Sequence, residues 1–106
     1  MQIPMQLDNV TVSCRANVYF GGRVISYSLI TADGQQRTMG VIYPGTYRFD
    51  MQMPLQIAIV GGACHVRIGH DPNWQALGAG ESADVPAGVP FEVSVQTGIT
   101  EYMCTF

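Results

Sequence analysis

"GESADVPAGVPFEV", residues 80–93, is the stretch from which the fold can be read. It opens on Gly80, runs five residues and turns at Pro86-Ala87-Gly88, after which Phe91, Val93 and Val95 alternate with polar neighbours. A short apolar run on each side of a Pro/Gly break is the pattern of two strands joined by a reversal. The pattern repeats outward along the chain. "TADGQQ" carries Asp33-Gly34, a pair that tolerates positive φ in a tight hairpin. "YPGTY" places Pro44-Gly45 where a type II turn wants them, and "GHDPNW" is the longest polar interruption.

No segment of helical length carries a 3.6-residue apolar stripe, so the chain reads as all-β. Strands are predicted at 10–14, 18–20, 23–31, 37–43, 46–51, 56–60, 63–68, 74–77, 82–85, 91–96 and 101–106. So many short antiparallel strands mean a sandwich or a closed barrel. Alternation then sorts the faces. Tyr47, Phe49 and Met51 should point inward, with Thr46, Arg48 and Asp50 outward. Phe91, Val93 and Val95 join the interior, as do Cys64, Val66 and Ile68, leaving His65 and Arg67 on the opposite face. "QIAIVGG" is apolar on both faces, which suits a strand covered on both sides or lying in an interface.

With 106 residues the chain fits one domain. Hydrophobic content of 47% against 12% charged residues is high for a small monomer, so a homo-oligomer is expected. The formal charge of −3 and five dispersed basic residues argue against nucleic acid as a partner. Cys14, Cys64 and Cys104 lie far apart and form no CxxC, which suits a reducing cytoplasm rather than a disulfide framework or a zinc knuckle. The start of the chain lacks a basic segment followed by an apolar run, and nothing is long enough to span a bilayer. A soluble, cytoplasmic protein with no membrane partner is the expectation.

The spacing from Gly80 to Pro86 resembles the second motif of cupins. The expected fold is therefore an all-β, single-domain cupin (RmlC-like) β-barrel or jelly roll, with residues 1–15 an N-terminal arm or first strand and 16–106 the barrel. Metal-binding cupins need two histidines one residue apart, a carboxylate on the next strand and a third histidine after the Pro-x-Gly turn, converging on one ion. The corresponding positions here run near Thr46, Arg48, residues 53–55 and Phe91, and carry none of these ligands. His65 and His70 have no carboxylate arranged beside them, so no metal is expected. There is no GxSxG elbow, and each cysteine sits in an apolar strand pattern as a small core residue would. Gly21-Gly22 and Gly61-Gly62 lack the context of nucleotide-binding loops. What remains is an aromatic-lined cavity with arginines near its mouth. Tyr47, Phe49, Phe91 and Tyr102 offer flat faces and hydroxyls to a heterocycle, and Arg23, Arg67 or Arg48 can hold an anion. The plainer alternative is that the aromatics are core and the arginines solvated. Trp74 either caps the barrel end or walls the pocket.

"ANVYFGGRVISYSLITADGQQRTMGVIYPGTYRF", "VGGACHVRI", "NWQALGAGESADVP" and "EYMCTF" fall in an order and spacing that resembles the pyrimidine/purine nucleoside phosphorylases, small single-domain bacterial cupins. The resemblance runs from about Ala16 to Phe106. It implies a homodimeric barrel with no metal or organic cofactor. It also implies phosphorolysis of a broad range of purine and pyrimidine nucleosides, giving free base and α-D-ribose 1-phosphate. Such a reaction needs an anion site beside C1′, hydrogen bonds to the sugar and a flat slot for the base. On that reading Arg23 and Arg67 hold phosphate with Arg48 in reserve, Tyr47 and Tyr102 bond the sugar, and Phe49 and Phe91 pack the base. Relatives commonly read Gly-Glu-Tyr and Pro-Glu where this chain has Gly45-Thr46-Tyr47 and Pro54-Leu55, so two carboxylates are absent. Gln56 can supply a hydrogen bond there but no proton. Ala83 stands where relatives often carry phenylalanine, leaving more room. Two rival readings are a cupin that binds a sugar-like or anionic ligand without turning it over, and a metal-dependent cupin with an unusual ligand set.

Overall fold

Ten strands, every pairing antiparallel, carry the fold of residues 3–106, the part of the chain that the computed structural model describes. Residues 1 and 2, where the expected N-terminal arm begins, lie outside the described residues. The strands are β1 (Thr11–Tyr19), β2 (Val24–Ile30), β3 (Gln36–Ile42), β4 (Gly45–Phe49) and β5 (Leu55–Gly61). They continue with β6 (Ala63–Ile68), β7 (Gln75–Gly78), β8 (Ser82–Val85), β9 (Phe91–Val95) and β10 (Thr100–Thr105). One sheet runs β1-β2-β3-β10-β5-β8 and the other β4-β9-β6-β7. Their inner faces meet in the core expected of a cupin roll.

The alternation read from the sequence holds on β4, β6 and β9, but Cys14, expected as a small core residue, is exposed on β1, whose bulge breaks the alternation there. Tyr47, Phe91, Val93, Val95, Cys64 and Val66 are buried, and Phe49, Met51 and Ile68 pack against them half-covered. Across the gap the larger sheet contributes Val24, Ile42, Ile57, Ile59, Tyr102 and Cys104. The doubly apolar strand is also as expected. Leu55, Ile57 and Ile59 face the core, while Ala58 is buried on the other face beside Met103 of β10. Ile3, Pro4 and Leu7 border a hollow over that outer face.

The first two predicted strands are one. β1 runs unbroken from Thr11 to Tyr19 and crosses the expected junction between residues 15 and 16. Its register against β2 shifts between Val12 and Ala16, and this bulge interrupts the alternation that the two-strand reading relied on. Phe20, placed at a strand end by its sequence, instead starts a 3-10 turn over Phe20–Gly22 with φ of 53°. None of the helices among the described residues is long and apolar enough to cross a membrane.

Candidate functional site

The register of the larger sheet lays a polar row along its inner face. Tyr102 of β10 pairs with Gly40 of β3, Gly40 with Ser26 of β2, and Ser26 with Asn17 of β1. One step along, Cys104 pairs with Thr38 and Thr38 with Ser28. Asn17 Nδ2 donates to Ser28 Oγ at 3.0 Å and to Ser26 Oγ at 3.3 Å, so the row is tied together. Facing it, the smaller sheet presents a wall of rings. Phe49 and Phe91 stack with centroids 5.2 Å apart and planes inclined by 19°. Phe20 leans edge-on against Phe49 at 5.5 Å and touches the Tyr47 ring at 5.0 Å.

Between the polar row and the ring wall lies a cavity of about 110 Å³. It is bounded by Phe49, Phe91 and Val93 on one side and by Tyr19, Ser26, Thr38, Tyr102 and Cys104 on the other. Its size is well below the roughly 300 Å³ at which ligand pockets usually begin. It has room for a flat ring rather than a ring with a sugar attached. A second hollow of about 340 Å³ adjoins it, sharing Thr38 and Phe106 and adding the hydroxyls of Thr11, Ser13 and Ser28. The two hollows are neighbours that share the Thr38 and Phe106 borders.

Burial sets the protonation of the groups inside. Desolvation pushes the Tyr102 phenol up to about 12, the neighbouring Cys104 thiol reinforcing the rise and a hydrogen bond with Ser26 opposing it. Desolvation also pushes the Cys104 thiol up to about 12, against a hydrogen bond with Thr38. Near neutral pH both are protonated. Tyr102 is a hydrogen-bond donor, and Cys104 is no nucleophile.

Of the residues singled out from the sequence, Phe49, Phe91 and Tyr102 converge on the cavity. Tyr47 is buried beside them, but its hydroxyl donates to the carbonyls of Tyr43 and Pro44 at 2.8 and 2.9 Å and it does not line the cavity. Gln56 lies on the outer face of β5 near Asp84. Arg23 is exposed, and none of the three arginines borders either chamber. Arg48 forms a solvent-exposed pair with Asp50 at 3.5 Å. Arg67 donates through Nη2 to Glu92 at 2.7 Å and lies 4.5 Å over the Trp74 ring, which is thus a surface partner of Arg67. Among the described residues no three His, Cys, Asp or Glu side chains converge as a metal would require. Asn17, Ser26, Ser28 and Thr38 carry no inward signal in the sequence, because serine and threonine in a strand read as solvent-facing. The signal available was the run Val24-Ile25-Ser26-Tyr27-Ser28-Leu29, in which either face can be the inner one until the register is known.

The sequence profile described as pyrimidine/purine nucleoside phosphorylase matches residues 14–106. The chain belongs to the pyrimidine/purine nucleoside phosphorylase family. The phosphorylase so named from Aromatoleum aromaticum is 39% identical over 106 residues, covering 100% of this chain and 99% of the relative. The one from Cupriavidus pinatubonensis is 40% identical over 101 residues, covering 95% of each. Among solved structures, a protein of unknown function from Acinetobacter sp. ADP1 superposes with a TM-score of 0.93 at 33% identity, covering 97% of this chain and 99% of that one. Fe(II) HppE, at 15% identity and a TM-score of 0.72, covers 93% of this chain and 61% of its own and shares the fold alone.

Proposed function

We propose that the protein is a nucleoside phosphorylase of broad specificity that works without a metal. It would convert purine and pyrimidine nucleosides plus phosphate to free base and α-D-ribose 1-phosphate. The observation that carries this reading is the pairing of a ring-sized cavity, walled by stacked Phe49 and Phe91, with a neighbouring hollow bordered by Thr11, Ser13, Ser28 and Thr38. A base slides against the phenylalanine faces, which accept any flat heterocycle and so favour breadth over selectivity. Ribose then sits at the Thr38 and Phe106 neck, in reach of Ser26, Ser28 and Thr38 hydroxyls. A phosphate oxygen forms the new bond to C1′ as the C1′–N bond breaks. The base leaves with that electron pair, and the proton brought by hydrogen phosphate ends on it. Tyr102, held protonated, donates a hydrogen bond to the departing base and does not need to ionise.

Gln56 and Tyr47 enter this reading only as outlying supports, the first outside the barrel and the second beneath the ring wall. The β1–β2 edge exposes Val12, Val18, Tyr27 and Ile30, which supports a homodimer. A cytoplasmic location fits three cysteines with no disulfide among them.

One observation favours the rival reading of a binding module: no carboxylate lines the interior cavity. The decisive experiment incubates the purified protein with uridine or inosine and phosphate and follows free base by chromatography. Base released in proportion to phosphate is the expected result. A ligand-induced rise in Tm with no base above the phosphate-free control would instead establish the binding module.

A further inference from the structure

We propose that Asn17 is a positioning residue that fixes the sense of a hydrogen-bond chain through Ser26 to Tyr102, so that the cavity favours a flat ring presenting a lone pair to the Tyr102 hydroxyl. The inference deepens the phosphorylase reading and rests on it for the base as occupant. The register of β1 after its bulge sets half-buried Asn17 opposite Ser26 of β2. An amide nitrogen has two hydrogens to give and accepts nothing. Asn17 Nδ2 spends them on Ser28 Oγ at 3.0 Å and on Ser26 Oγ at 3.3 Å. Ser26 thereby accepts at its oxygen, and its own proton turns the other way. Gly40, next in register on β3, puts no side chain in its path, and Tyr102 of β10 follows. The hydrogen bond with Ser26 opposes the rise of the Tyr102 phenol, as a donor to the phenol oxygen does. The phenol proton is therefore turned away from Ser26, and both residues border the ring cavity.

The direction of the chain decides what it selects. A hydroxyl whose oxygen already accepts offers the cavity a donor, and a buried donor left without an acceptor is costly. A ring carbonyl or an unprotonated ring nitrogen satisfies it, whereas an amino group or ring N–H at that point does not. The neighbouring row does not offset this preference, because Thr38 is bonded to Cys104 and a protonated thiol is only a weak donor. Stacked Phe49 and Phe91 accept flat rings alike, so choice among rings falls to Tyr102. Asn17 does not line the cavity and acts through Ser26. Without it, Ser26 can turn its proton either way, and the donor at Tyr102 is offered only part of the time.

Pyridine N-oxide and aniline are the probes. Each is a six-membered ring bearing a single polar atom, in the first an acceptor only and in the second chiefly a donor. Their Kd values are measured by ligand-observed NMR at neutral pH for the wild type, Asn17→Ala and Asn17→Asp. The wild type should bind the N-oxide roughly ten-fold tighter than aniline, the difference between a made and an unmade buried hydrogen bond. Asn17→Asp keeps the shape but can only accept. It takes the Ser26 proton, Ser26 then accepts from Tyr102, and the phenol oxygen faces the cavity as an acceptor, so the preference should reverse to aniline. Asn17→Ala should bring the two Kd values within about three-fold of each other. If Asn17 merely ties β1 to β2, its loss weakens both probes together and leaves their ratio alone. An unchanged ratio in Asn17→Asp therefore overturns the proposal, as does a wild type that binds neither probe or prefers aniline. If Asn17→Asp does not fold, Asn17→Ala decides by the same ratio, an unchanged value overturning the proposal. Release of base from uridine and phosphate is followed alongside. A wild type that releases none defeats the phosphorylase reading separately, and the ratio of the two probes still judges Asn17.

Discussion

The hydroxyl of Tyr47 closes the turn by which the chain leaves the larger sheet for the smaller, donating to the carbonyls of Tyr43 and Pro44. Gly45 makes this possible. Its φ of 147° is rarely adopted by other residues, and a Cβ there would stand 2.6 Å from the Tyr47 hydroxyl. Removing the hydroxyl leaves two carbonyls short of a donor while the buried ring stays in place. Tyr47→Phe should therefore lower stability by about 1 kcal/mol. Urea denaturation should show a reduced midpoint at unchanged slope; an unmoved midpoint would mean that water replaces the hydroxyl. Tyrosine in a strand could be identified as interior from alternation, but whether its oxygen served a ligand or the backbone could not. That depended on the turn folding back over it.

Strands β2, β3 and β10 build the polar side of the cavity, and Gly40 sets how closely they approach. A Cβ at Gly40 would sit inside contact distance of the Ile25 carbonyl and the Ser26 backbone, groups too rigid to yield. Gly40→Ala should cost about 1–3 kcal/mol, as overpacking does. The same push would part Ser26 from Tyr102, so the denaturation midpoint should fall together with weaker nucleoside binding. A variant as stable as the wild type would contradict this account of the spacing. Nine of the ten strands were legible to within a few residues because each carries its own alternation and its own Gly, Pro or Asp break. β1 was not, since its bulge puts two residue rows out of phase and looks like an interruption. The face of β2 was also illegible, because Ser26 and Ser28 alternate with Ile25, Tyr27 and Leu29 and only pairing with Thr38 and Asn17 turns the serines inward.

Taken together, the packed sheets hold three acidic groups in their neutral forms. Cys64 rises from 9.0 to about 11, Cys104 from 9.0 to about 12 and Tyr102 from 10.0 to about 12, in each case chiefly by desolvation. The folded chain binds these protons more tightly than the unfolded chain, so their contribution is full below the unfolded values. It is lost as pH climbs from 9.0 through the folded values of about 11 and about 12. Circular dichroism melts at constant ionic strength should show Tm falling across that window, and a Tm that rose there would refute the burial account. From the chain alone followed the all-β class, the family, the inward rings Phe49 and Phe91, and the absence of the usual cupin ligands, since each is written in local alternation, turn chemistry or residue type. The polar row and the two chambers came from folding alone. They join residues from β1, β2, β3 and β10 that are distant along the chain, and the register that aligns such strands is set by burial of the sheet as a whole.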